Sequence, residues 1–258
     1  MSFDATSLAI LWPAFIAGLL VTATHVPLGM QVLERGIVFI DLAVAQIAGL
    51  GVILADFLGW EPTGAAVQIA ALSAALAAAL LLTLTERRWP EIQEAVIGVV
   101  YVLASSAAIL LLAKNPHGGE QLKDLLVGQI LWVDPRHLPL EALIYGAILA
   151  LWFGLRERLG RIGFYLLFAC AVTVSVQLVG LFLVFVTLVV PALATFYSRR
   201  LRHVKAYSIG VLGYALGLAA SLAADLPSGS MIVCSMVFVA AAAALIFKRE
   251  RAGYNSSR

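Results

Sequence analysis

Asp41 and Gln46 are the side chains of this sequence best placed to do chemistry. They interrupt an apolar run, Arg35-Gly-Ile-Val-Phe-Ile-Asp-Leu-Ala-Val-Ala-Gln-Ile-Ala-Gly-Leu-Gly51, that opens beside an arginine. A charged group at the centre of a hydrocarbon-crossing helix costs about 2.5–3.5 kcal/mol on insertion scales, so it faces a polar partner or a pathway. A carboxylate in that position can draw a cation toward it. His25, just before Pro27, is a candidate third polar group near the same membrane edge; the alternative is a histidine held by its own backbone or snorkelling. Gln177 precedes Gly180, an expected helix break where freed backbone groups and a side-chain amide could line a cavity. Glu94 is expected to favour the N-terminus of its own helix through the dipole. Asp56 and Glu61 fall near an outer mouth.

The elements that position these residues must be membrane spans. The chain has 258 residues, 62% hydrophobic and 12% charged, with a mean hydropathy of +0.98. An average soluble domain is about 25% charged. Runs of about 20 apolar residues, enough to cross about 30 Å of hydrocarbon, recur along its length. The fold class is therefore all-α and polytopic, a single transmembrane domain over 1–258. The pattern predicts eight or nine spans, drawn as 7–28, 37–59, 64–84, 93–113, 138–154, 164–178, 180–198, 206–224 and 229–247. Met1–Ser7 has no basic n-region, so the first run is expected to be a retained span. Cys170 and Cys234 sit alone in apolar runs and read as small buried hydrophobes.

Charge placement sets the orientation. Of the 17 lysines and arginines, only Lys114, Lys123 and Arg136 fall outside if the N-terminus is outside. The remainder line the inner connections and the C-terminal tail, which the positive-inside rule reads as N-out and C-in. Residues 119–132 then lie outside, and their apolar positions suit an amphipathic helix that docks a partner or only joins two spans. The dispersed basic residues give a net charge of +2 and no nucleic-acid patch.

Four segments, in order, resemble the permeases of zinc/manganese/iron-type metal ABC importers. They are Pro27-Leu-Gly29 with Arg35, Asp41 and Ala45-Gln-Ile-Ala-Gly-Leu-Gly51; Glu94-Ala-Val-Ile-Gly98; Leu126-Val-Gly-Gln-Ile-Leu131; and Ala171–Ala192 with its Val176-Gln-Leu-Val-Gly180 and Val190-Pro-Ala192. The resemblance implies a dimeric permease in the bacterial cytoplasmic membrane. Its partners would be a second copy of itself, an ATP-binding subunit inside, a metal-loaded binding protein outside, and the lipid bilayer. The metal candidates are Asp41, Gln46 and His25, with Gln177 lining the pathway. Lys123, Asp124 and Gln129 would meet the binding protein, and Arg156, Glu157, Arg158 and Arg161 the ATPase. No Walker-type loop is present, so ATP and magnesium belong to the partner subunit and this chain binds no cofactor of its own.

Two departures from the family pattern follow. The family commonly places Asp and His one turn apart in the second span, whereas here the His position is taken by Gln46, a poorer ligand for zinc than imidazole. Asp41 and Gln46 are also about 140° apart around an ideal helix, so they share a face only if the helix is locally widened. In addition, the inner stretch between the fifth and sixth spans shrinks to Leu155–Arg161, leaving Arg199–Lys205 as the other candidate for ATPase coupling. No HExxH, nucleophile elbow or paired catalytic carboxylate appears, so the chain is not expected to be an enzyme. The alternative function is a stand-alone proton-coupled carrier with Asp41 as its ion site.

Overall fold

The computed structural model describes residues 5–60, 65–113, 115, 117–198 and 201–256, with side chains described for all of these except 5–8, 121, 156, 157 and 247–256. The described elements are all helical: α1 (Ala5–Arg35), α2 (Ile40–Phe57), α3 (Ala65–Arg88), α4 (Gln93–Leu112), α5 (Gly118–Val127), α6 (Leu138–Val179), α7 (Leu181–Ala194), α8 (Arg202–Ala224) and α9 (Ser228–Ser256). Single 3₁₀ turns at Pro90–Ile92 and Ile130–Trp132 lead into α4 and follow α5. Eight stretches are long and apolar enough to cross a membrane, two of them within α6.

α1 does not stop at residue 28 as its proline suggests. Pro27 cannot donate to the carbonyl four residues earlier, a loss that normally kinks or ends a helix. Here the Tyr207 hydroxyl, from α8, donates to the Ala23 carbonyl at 3.1 Å. The freed acceptor is satisfied by a neighbouring helix, as membrane interiors require, and α1 continues to Arg35.

The expected inner loop 155–161 is likewise helical, because its Leu, Arg and Glu residues are good helix formers. Only Gly160 leaves the helix, at φ 56° and ψ −155°. That one residue reverses the chain. Tyr145 Oη lies 2.6 Å from Ser175 Oγ, and the Trp152 and Phe164 rings are 5.8 Å apart. Residues before and after Gly160 thus face each other as an antiparallel hairpin. A second break falls at Gly180, φ 87°, as expected from the sequence. There the backbone of Gly128 packs against Val179 and Gly180 so closely that no Cβ would fit on either glycine. The expected span 180–198 becomes α7, 14 residues long. At about 1.5 Å per residue it reaches roughly 21 Å, short of a full crossing. α8 begins at Arg202, four residues earlier than expected, and α9 continues beyond residue 247.

The connections sort to two ends. Arg161–Glu86, Arg202–Glu34 and Phe39–Glu94 tie one end together, while 127–128, 179–180 and 229 meet at the other. The first end carries the arginines that the charge pattern places inside. α1 packs on α6, α7 and α8, and α2 on α3 and α4. The small-residue row of α8 receives α9, with Gly213 against Met236 and Gly217 against Ile232. Cys170 and Cys234 are both free; Cys170 is half-buried and Cys234 exposed, so neither is the fully buried residue expected.

A methyl group at Gly29 would meet the Leu188 carbonyl of α7. Gly29→Ala should therefore destabilise the chain by about 1–3 kcal/mol through overpacking. At Gly98 nothing lies within 4 Å, so Gly98→Ala should be neutral or stabilise by up to about 1 kcal/mol. Unfolding midpoints in detergent compare the two, and equal midpoints would contradict the close α1–α7 crossing.

Candidate functional site

The site is built where α1 hands the chain to α2. Gly36 turns it at φ 70°, with Gly36 N–H donating to Leu33 O at 3.2 Å and Ile37 N–H to Val32 O at 3.3 Å. The Phe39 ring stacks 6.5 Å from Phe185 of α7. Phe39 N–H donates to Glu94 Oε1 at 3.1 Å. Glu94 lies in the first turn of α4, where the dipole favours a carboxylate as expected, and in addition it serves the start of α2. The reason is tertiary: α2 and α4 pack together with these two N-termini adjacent.

Asp41 follows at once, in the first turn of α2. It lies at the helix end, not well along a span as the 37–59 boundary suggested. Its side chain is fully buried, and neither carboxylate oxygen has a hydrogen-bond partner among the described residues. Buried polar atoms are nearly always paired, and an unpaired carboxylate in a low-dielectric interior is costly. Asp41 thus presents two acceptor oxygens that suit a cation.

Gln46 is also buried. α2 is regular from Ile40 to Phe57, so the local widening that would align Gln46 with Asp41 is absent, and the two face different neighbours. His25 is fully buried on α1. Its Nδ1 lies 3.0 Å from the Val21 carbonyl and 3.0 Å from Thr24 Oγ1, while Nε2 has no partner. The backbone-held reading is correct for Nδ1. Donation from Nδ1–H to Val21 leaves Nε2 as the acceptor nitrogen. Because α1 continues to Arg35, His25 sits about 15 Å up the helix from that end. His25 and Asp41 are therefore not at one depth, as the shorter first span had placed them. Among the described residues no group of three His, Cys, Asp or Glu could hold a metal ion.

The remaining candidates occupy the two ends. Gln177 is exposed, two residues before the end of α6. On α5, Leu122 and Leu125 pack against Ile53, Ala108 and Leu112. This leaves Lys123 and Asp124 exposed, and Gln129 is exposed just beyond. At the basic end Arg158 is exposed and Arg161 Nε lies 3.6 Å from Glu86 Oε2. The side chains of Arg156 and Glu157, and all of Glu61, Lys114, Arg199 and Arg200, lie outside the described residues.

The sequence model of the ABC 3 transport family matches residues 7–164 and 146–247. The chain belongs to the ABC 3 transport family. Among its relatives is an uncharacterized membrane protein of Synechocystis, 27% identical over 92% of this chain and 90% of that protein. A probable metal transport system membrane protein of Chlamydia trachomatis is 25% identical over 96% and 91%. The fold is similar to a chain of PsaBC from Streptococcus pneumoniae in complex with Fab, with a TM-score of 0.73 and 20% identity over 91% of this chain and 90% of that one.

Within this ABC 3 chain, sequence reasoning missed Glu34 with Arg202 and Tyr145 with Ser175. The partners are 168 and 30 residues apart, and no local pattern links them. The Pro27–Tyr207 compensation was missed for the same reason. Glu94→Ala should cost about 0.5–2 kcal/mol, the range for losing a helix cap. Glu94→Gln should cost less, since its amide oxygen still accepts from Phe39. Thermal unfolding of the two variants checks this, and an alanine variant as stable as the glutamine one would contradict the capping role.

Proposed function

We propose that this chain is the membrane-spanning permease of an ABC importer for a divalent metal ion, zinc, manganese or iron. A separate ATPase subunit powers it, an extracytoplasmic binding protein delivers the metal, and a second copy of the chain completes the pathway in a bacterial cytoplasmic membrane. The observation that carries the reading is Asp41, a buried carboxylate without a partner on a helix of an ABC 3 family chain. The name of the Chlamydia relative supports a metal as cargo. Asp41 offers oxygen and His25 Nε2 offers nitrogen, donor types that manganese, iron and zinc accept to different degrees. They act as successive stations and not as one cage. Gln177 stands at the outer mouth.

The binding protein docks at Lys123, Asp124 and Gln129. At the inner end the ATPase surface is centred on 193–205, with Arg156, Glu157 and Arg158 beside it. Supporting this, Leu193, Phe196, Tyr197, Leu201 and Val204 are exposed together next to Arg202, and apolar surface rimmed by charge suits a protein partner. Leu201 holds φ 55°, a conformation uncommon for a leucine and characteristic of constrained functional segments. Arg161 is instead engaged by Glu86 within the chain.

Asp41→Asn should insert normally and lower metal uptake by at least about tenfold, equivalent to roughly 1.4 kcal/mol. Uptake by cells carrying equal amounts of each protein measures this; wild-type uptake by the variant would remove Asp41 from the pathway. Reversing Lys123 and Asp124 together should weaken binding-protein docking, mainly through a slower and less salt-sensitive association, and leave ATPase co-purification intact. Cross-links from residue 123 to the ATPase would overturn the orientation.

A further inference from the structure

We infer that the Glu34–Arg202 ion pair is the tie through which the inner α7–α8 connection positions Asp41, by fixing the end of α1 from which the Asp41 segment hangs. The inference rests on the ABC permease reading and names the internal link that reading needs.

Arg202 joins three elements. It opens α8, its guanidinium lies 5.7 Å from the Phe196 ring centroid in the α7–α8 connection, and its Nη1 donates to Glu34 Oε1 of α1 at 2.8 Å. Its Nε and Nη2 are buried without partners among the described residues. Glu34 is therefore the anion that compensates this cation. Beneath the pair, Val26 and Met30 of α1 cluster with Ala192 of α7 and Ala206 of α8, and Leu33 packs against them. That apolar patch holds the three ends together but does not fix their register, because dispersion contacts are not directional. The ion pair does.

From Glu34 the chain reaches Asp41 in seven residues, and little slack lies between. The Arg35 guanidinium lies 4.3 Å from the Phe164 ring centroid. Gly36, Ile37 and Ile40 donate backbone bonds within the turn, and Phe39 donates to Glu94. A shift of residue 34 must then reach residue 41, because the connection is bonded along its length. The same pair contributes little to folding, since Glu34 is substantially exposed and such pairs are weak stabilisers. Its positional role can therefore be separated from stability.

The test uses Glu34→Gln, Arg202→Gln and the double exchange Glu34→Arg/Arg202→Glu. Two quantities are read: metal moved per ATP in the reconstituted complex, and amide hydrogen exchange of residues 36–41 in the permease alone. Each single variant should lower metal per ATP by between about 2- and 30-fold, the range for residues that carry coupling between sites, and speed exchange in 36–41. The double exchange should restore the exchange rate of 36–41 in the permease alone to within about twofold of wild type, which a merely destabilised chain would not do. Metal per ATP is read on the single variants, because residue 202 borders the proposed ATPase surface. Single variants with wild-type coupling and exchange, or a double exchange no better than the singles, would overturn the tie. Faster exchange, repaired by the double exchange in a chain that associates with no ATPase, would uphold the tie and refute the transporter reading. Unchanged exchange in a chain that transports with ATP would do the reverse.

Discussion

In hydrocarbon every backbone N–H and C=O must find a partner within the protein, and this constraint decides where the chain can leave its helices. Pro27 frees the Ala23 carbonyl in the middle of α1, and Tyr207 from α8 takes it up. Elsewhere among the described residues the departures from helix are confined to the two ends. Gly160 reverses the chain at the basic end, and Gly180 breaks it against Gly128 at the other. Long helices with reversals only at their ends give the bundle its alternation. They also leave the ends as the places where charge and function gather.

Asp41 owes its position to that arrangement. The connection from α1 to α2 is short and bonded throughout, so α2 must begin within the packed interior, and its first turn carries the carboxylate. Glu94 from α4 takes the Phe39 amide and leaves Asp41 without a partner of its own. A cation site that must release its ion cannot be a closed cage of strong ligands. In the proposed role, a buried carboxylate with a separate imidazole nitrogen, His25 Nε2, fits passage better than storage. The nearby ion pairs, Glu34–Arg202 and Glu86–Arg161, tie the same end of the bundle to the surface that faces the ATPase in this account.

Much of this was legible in the sequence because it is periodic or compositional. The span pattern, the break at Gly180, and the burial of Asp41 and Gln46 follow from apolar runs and glycine. The small-residue row on α8, Gly213 and Gly217, is likewise a local pattern that suits a close helix crossing. What was not legible depends on partners remote in sequence. Pro27 reads locally as a stop, and only Tyr207 shows why it is not one. The 155–161 stretch reads as a loop from its charge, yet its residues favour helix and only Gly160 departs. Glu94 sits at two helix starts in space but only one in sequence, so its place in the first turn of α4 was legible and its bond to Phe39 of the α2 start was not. α7 reads as a full span because the apolar run continues through Phe196 and Tyr197, which the structure leaves exposed beyond the helix end.

The central claim is that this chain passes metal under the power of a separate ATPase. It is tested most directly in proteoliposomes holding the permease with its ATPase, loaded outside with binding protein and radioactive zinc or manganese. The account predicts metal accumulation against its gradient that requires ATP hydrolysis and the binding protein, and that is indifferent to an imposed pH gradient. Accumulation by the permease alone, driven by a proton gradient without ATP, would contradict it and establish a stand-alone carrier.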